Sequence, residues 1–284
     1  MATATKRTAV VTGATSGLGE AAAVALAKAG WRVLVVGRDA ARGAEVVARA
    51  KAAGGEAEFL AADLLSLADV RRVAREIRAR APSLELLVNN AGGTFGPKEL
   101  TGDGLERTFA LNVAAPFVLT EALVEALGAG HGRVLNIVTG VPKGAKATMD
   151  QLAGAESGAG MSSYIRAKLA LGALTHEQQR RYASKGITAV SLHPGVIPGT
   201  GFGQDMPAFL RSFGGGVAKL FGFASTLDQA ADRYVQVGTG PVEPAGFYAQ
   251  GKLEPAPVQA QDPAFAGQLW SKLEEVSGRV TAQA

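Results

Sequence analysis

Apolar positions along this chain fall into two alternating patterns. Short, nearly continuous apolar runs occupy residues 8–11, 32–36, 58–61, 84–88, 134–138 and 188–192. Runs of that kind suit parallel strands buried on both faces. Between them, residues 18–29, 40–53, 67–79, 105–127 and 162–183 carry apolar residues at helical spacing. Asp39 and Ser66 stand where N-caps belong, and Gly30 and Gly54 where helices end. The alternation predicts an α/β fold with a doubly wound parallel sheet of about seven strands flanked by helices. A last strand is expected near residues 247–249 and a short helix near 265–276. No linker divides the chain, so residues 1–284 are expected to form a single domain.

Two stretches break the rhythm. Residues 141–160 are rich in Gly and Ala, and residues 194–227 in Gly, Pro and Phe, including Phe202, Phe209, Phe213, Phe221 and Phe223. Both follow strand C-termini, the edge of an open α/β sheet where ligands bind. They are expected to form two walls of one entrance, a mobile lid over a bulky apolar substrate, with the equal alternative that the phenylalanines complete the ordinary core.

Composition narrows the class. A chain of 284 residues with 47% hydrophobic content can bury a sizeable core. Cysteine is absent, which removes disulfides, thiolate zinc sites and a cysteine nucleophile, and fits a cytoplasmic protein. Residues 1–7 are short and polar, so no signal peptide is expected, and no apolar run is expected to span a membrane. The net charge of +4 comes from scattered pairs such as Arg71-Arg72 and Arg180-Arg181 among acids, the look of solvated helix faces. No nucleic-acid partner is expected. No His or carboxylate spacing suggests a metal, and no Gly-x-Ser-x-Gly supports a hydrolase.

The candidate chemistry begins after the first strand, in Thr12-Gly13-Ala14-Thr15-Ser16-Gly17-Leu18-Gly19. Glycines there let the backbone turn tightly and approach a pyrophosphate held by the following helix N-terminus. An ordinary glycine-rich turn is the bland alternative. The second strand ends Gly37-Arg38-Asp39. NAD-preferring sites normally carry an acid at that strand end. A glycine followed by arginine favours a 2′-phosphate, hence NADP(H) over NAD, unless Arg38 is simply solvated at a helix entrance. Farther on, Tyr164 and Lys168 are four residues apart and project from one helix face. An ammonium there would favour the phenolate and bring the tyrosine towards the operating pH. Asn112 interrupts an apolar helix, where asparagine competes for backbone hydrogen bonds.

With Asn89-Asn90-Ala91-Gly92 and Asn112 between the glycine loop and the Tyr-Lys pair, the pattern resembles the short-chain dehydrogenase/reductase superfamily from about residue 8 to 200. The resemblance implies a Rossmann-type sheet and a carbonyl or alcohol substrate. It implies a tetrad of Asn112, Thr139, Tyr164 and Lys168, with Thr139 in place of the usual serine; Ser162 and Ser163 flank Tyr164 on other faces. Asn112 would distort its helix so that a carbonyl holds a water. For the cofactor it implies contacts from Gly13, Thr15, Ser16, Gly17, Leu18, Gly19, Arg38, Asp63, Leu64, Asn90, Ala91 and Gly92, with Tyr164 and Lys168, and leaves Asn89 structural. The long 141–160 stretch, His193-Pro194-Gly195-Val196 and Gly246-Phe247-Tyr248 look like the retinol dehydrogenase and protochlorophyllide reductase-like branch, which adds Pro194, Gly195 and Val196. Lack of cysteine disfavours protochlorophyllide-type reduction. The helices at 105–127 and 162–183 resemble the family's dimer bundle, implying a homodimer or homotetramer. The competing class is a non-catalytic NADP(H)-binding sensor or scaffold, which would have no need of Tyr164 and Lys168.

Overall fold

A computed structural model of the chain describes residues 6–96, 99–142, 144–153, 158, 160–195, 197 and 225–281. Eight strands form one sheet in the order β3-β2-β1-β4-β5-β6-β7-β8. They are β1 Thr8–Thr12, β2 Arg32–Gly37, β3 Glu56–Ala61, β4 Leu86–Asn89, β5 Arg133–Ile137, β6 Thr188–His193, β7 Phe247–Ala249 and β8 Lys252–Glu254. The first seven pair in parallel, and β8 returns antiparallel on β7. Strand order reverses between β1 and β4, which opens a crevice at their carboxyl ends.

Helices cover both faces. Helices α1 (Gly17–Lys28), α2 (Ala40–Ala52) and α7 (Leu227–Thr239) share one core with the sheet through Leu26, Val46, Tyr234 and Val237. Helices α3 (Leu67–Arg80), α4 (Arg107–Ala129) and α6 (Gly160–Tyr182) build the opposite core with Val70, Phe109, Leu123 and Leu169. The expected caps form. Asp39 accepts from Arg42 N and Ser66 from Asp69 N, while Gly30 and Gly54 follow their helices with φ of +87° and +84°.

The expected sheet of about seven strands forms, and among the described residues an eighth, β8, is a three-residue polar edge with no readable period. Other expectations need correction. Residues 141–160 are not all loop, since α5 (Met149–Ala153) lies within them. The apolar helix expected at 105–127 is Arg107–Ala129, long and apolar enough to cross a membrane. Within the fold it is a core helix, with 78% of its apolar window buried.

The terminal helix α8 (Pro263–Thr281) is longer than expected, packs mainly on α6 and reaches α4 at Phe117. Its Trp270 meets the Phe117 ring edge-on at 4.9 Å and the Tyr182 ring at 6.0 Å, beneath the Arg181 guanidinium at 4.1 Å.

Candidate active site

The glycine loop joins β1 to α1 at the crevice. Gly13 and Gly17 take left-handed backbone, and a Cβ at Gly19 would overlap the Asn90 amide and the Gly13 carbonyl. Ser16 is the N-cap of α1 yet makes no side-chain cap, whereas α2, α3 and α7 are capped by Asp39, Ser66 and Thr226. The first-turn N–H groups of α1 are thus not used by a capping side chain and fit a pyrophosphate. Thr15, Gly17 and Leu18 are partly exposed beside them and Ser16 is exposed.

Asn89 and Asn90 differ in role. Asn89 donates to Asn136 Oδ1 at 2.8 Å and Thr120 Oγ1 at 3.2 Å, which ties β4 to β5 and α4 as expected. Asn90 donates to Thr12 O at 2.8 Å and Gly13 O at 3.4 Å, while its Oδ1 accepts from Tyr234 at 2.7 Å. Its side-chain amide is therefore spent within the protein. Thr12 Oγ1 accepts from the N–H groups of Asn90 and Ala91, both at 3.0 Å. Thr12 and Tyr234 were missed in the sequence. A tyrosine at an apolar helix position reads as core, and nothing in its spacing reveals the hydroxyl's partner.

Asn112 is fully buried where α4 widens into a π-turn over Ala110–Ala114. The distortion was expected; its partner was not. Asn112 Nδ2 donates to Thr108 O and Gly93 O, both at 2.8 Å, and its Oδ1 accepts from Gly93 N at 3.3 Å. The amide thus pairs with the Gly93 peptide groups as a second strand would. Gly92 is exposed, and a Cβ there would sit 2.7 Å from Asn112 Oδ1 and 2.9 Å from Lys168 Nζ. Only a glycine leaves that approach open.

Thr139 lies just past β5 and hydrogen-bonds Tyr164 on α6. Lys168, one turn on, is buried, donates to Ile137 O at 2.7 Å and stands 5.7 Å from the Tyr164 ring centre. The electrostatics differ from expectation. Burial pushes the Tyr164 phenol above its usual range, against the lowering effect of the Thr139 bond. Burial also brings the Lys168 amine down to about 7, which weakens the positive charge expected to favour the phenolate. Tyr234, fully buried nearby, is likewise raised, by burial and then by Tyr164.

The remaining expected residues lie around this centre. Arg38 is exposed at the end of β2, Asp63 is exposed with Oδ1 accepting from Leu65 N, and Leu64 is buried. Pro194 and Gly195 follow β6, Gly195 with φ of +104°; Val196 lies outside the described residues. Thr94 Oγ1, which the sequence did not single out, and Nδ1 of His193 are buried without a hydrogen-bond partner among the described residues.

An anion-ready glycine loop at a switch point, with Thr, Tyr and Lys side chains beside an open glycine, defines a dinucleotide-dependent oxidoreductase. The chain belongs to the short chain dehydrogenase family, whose model matches residues 7–209, and lies in its retinol dehydrogenase-like branch. It is 39% identical to polyprenol dehydrogenase of Mus musculus over 200 residues, which is 67% of this chain and 60% of that protein. Retinol dehydrogenase 14 of Mus musculus is 30% identical over 289 residues, with 96% and 86% covered. Among solved structures, a metagenomic short-chain oxidoreductase in complex with NADP is 25% identical, with a TM-score of 0.61 and 83% and 91% of the two chains covered.

Proposed function

We propose that this protein interconverts a carbonyl and an alcohol on a bulky, largely apolar small molecule, using NADP(H). The observation that carries the reading is the convergence of Thr139, Tyr164 and Lys168 beside Gly92. When bound, the nicotinamide supplies or accepts the hydride. The chain's own groups handle the oxygen. Thr139 holds the substrate oxygen, and Tyr164 gives it a proton in the reducing direction. The raised phenol remains protonated at neutral pH, the state a proton donor needs. Lys168 would hold the nicotinamide ribose, and Asn112 fixes the Gly93 backbone beside it.

Three features favour the 2′-phosphate. Arg38 is exposed and engages no partner among the described residues. A side chain at Gly37 would collide with Thr15, 2.6 Å from its Cγ2, so an acid does not fit there without rearrangement. The Asp39 carboxylate is committed to Arg42, as helix cap and as ion pair. Arg38→Ala should weaken NADPH binding by about 1.5–3 kcal/mol, the range for a charge-linked hydrogen bond, and leave NADH unchanged. Equal affinity of the unaltered protein for both nucleotides, measured by calorimetry, would contradict the preference.

The substrate class follows from the names of the relatives, polyprenol and retinol dehydrogenases, and from the apolar first wall of the entrance. Val141, Ala145 and Met149 pack against the core there. At Ala147 that wall is tied to Gln259, which pairs with both the N–H and the C=O at 2.8 Å. The phenylalanines of the second wall lie outside the described residues.

A further inference from the structure

We propose that Arg233 and Tyr234, consecutive residues of α7, are positioning residues that set two cofactor-facing turns from one point. The proposal rests on the NADP(H) reading above. Neighbouring residues on a helix diverge by about 100°, so the two side chains leave α7 towards different strand ends. Tyr234 is fully buried and donates to Asn90 Oδ1 at 2.7 Å. Asn90 passes the restraint on through its amide to the carbonyls of Thr12 and Gly13, at the entrance of the glycine loop. Arg233 Nη1 donates to Pro194 O at 2.5 Å and to Ser225 Oγ at 2.7 Å, fixing the turn after β6.

The chain thus holds the β1, β4 and β6 ends in register from a helix that carries none of the reacting groups. Tyr234 also divides labour with Tyr164. Two buried phenols lie near one site, and the bond to Asn90 commits Tyr234 as a structural donor.

The consequence is specific. Tyr234→Phe leaves the half-buried Asn90 Oδ1 without this donor, which frees the amide to turn and loosens the glycine loop. An acceptor that loses its donor corresponds to about a tenfold weakening of whatever depends on its geometry. Dissociation constants for NADPH are read from nicotinamide fluorescence in the unaltered protein, Tyr234→Phe, Arg233→Met, Arg233→Lys and Arg133→Lys, alongside melting temperatures. Arg133 holds the other end of α7 through Val237 O and Gly240 O, far from the two turns, and serves as the control.

The expected result is a roughly tenfold weaker NADPH affinity in Tyr234→Phe and Arg233→Met, with partial recovery in Arg233→Lys. Arg133→Lys should lower the melting temperature and leave NADPH affinity alone. Unchanged affinity in Tyr234→Phe and Arg233→Met, with only their melting temperatures lowered, would overturn the positioning role while leaving the cofactor reading intact. An unaltered protein that binds no nicotinamide nucleotide would instead overturn that reading, and this proposal with it.

Discussion

At the scale of single residues, burial governs the candidate site more than charge pairing does. Lys168 has its full side chain inside the fold, and its amine falls to about 7 from an ordinary value of 10.5. Between those two values the unfolded chain holds a proton that the folded chain lacks, so this group makes stability rise with pH across that window. Below about pH 7 both states are protonated and the cost of burial is at its maximum. Lys168→Met should therefore raise the melting temperature most at pH 7 and below, with the gain shrinking towards pH 10. Parallel melting profiles for the two proteins from pH 7 to 10 would show that the amine is not desolvated as described. Legibility at this scale was uneven. Tyr164 and Lys168 stood out by their spacing and Asn112 by its place inside an apolar helix, whereas Thr139 was found only through the family resemblance. Tyr234 and Thr12 did not, since a buried hydroxyl's partner depends on which strand ends the fold brings together.

At the scale of elements, the parallel strands were readable because burial on both faces forces continuous apolar runs. Caps were readable because Asp39 and Ser66 stand immediately before helical periodicity. The misses have a common cause. Strand β8 and helix α5 are too short to show a period, and their positions are set by what they pack on. The extent of α8 was also underestimated, although Trp270, Leu269 and Leu273 mark its apolar stripe. Trp270 is the anchor of that helix, with two rings and a guanidinium around it and its Nε1 donating to Glu274 at 2.7 Å. Trp270→Ala should cost about 3–5 kcal/mol, in line with large aromatic truncations in cores. It should also expose the α4 and α6 face and promote self-association, which sedimentation would reveal. A variant with unaltered denaturation midpoint would mean that α8 is held by other contacts.

At the scale of the whole molecule, one sheet edge gathers the parts. The β1 loop, the Asn90-Gly93 run after β4, Thr139 after β5 and the Pro194 turn after β6 all emerge at strand carboxyl ends. Helix α6 brings Tyr164 and Lys168 to the same edge, and α7 braces it from behind. The central claim is that this edge transfers a hydride to a carbonyl while Tyr164 supplies the proton. The most direct test is steady-state NADPH oxidation with a graded set of apolar ketones and aldehydes, run on the unaltered protein and on Tyr164→Phe, with the alcohol product identified. General acid catalysis contributes on the order of 10²–10⁴ in rate. The unaltered protein should therefore form alcohol from at least one bulky carbonyl, and Tyr164→Phe should lose about a hundredfold or more in kcat with NADPH affinity within about twofold. Retention of most activity by Tyr164→Phe, or NADPH binding without turnover of any carbonyl by the unaltered protein, would contradict the claim.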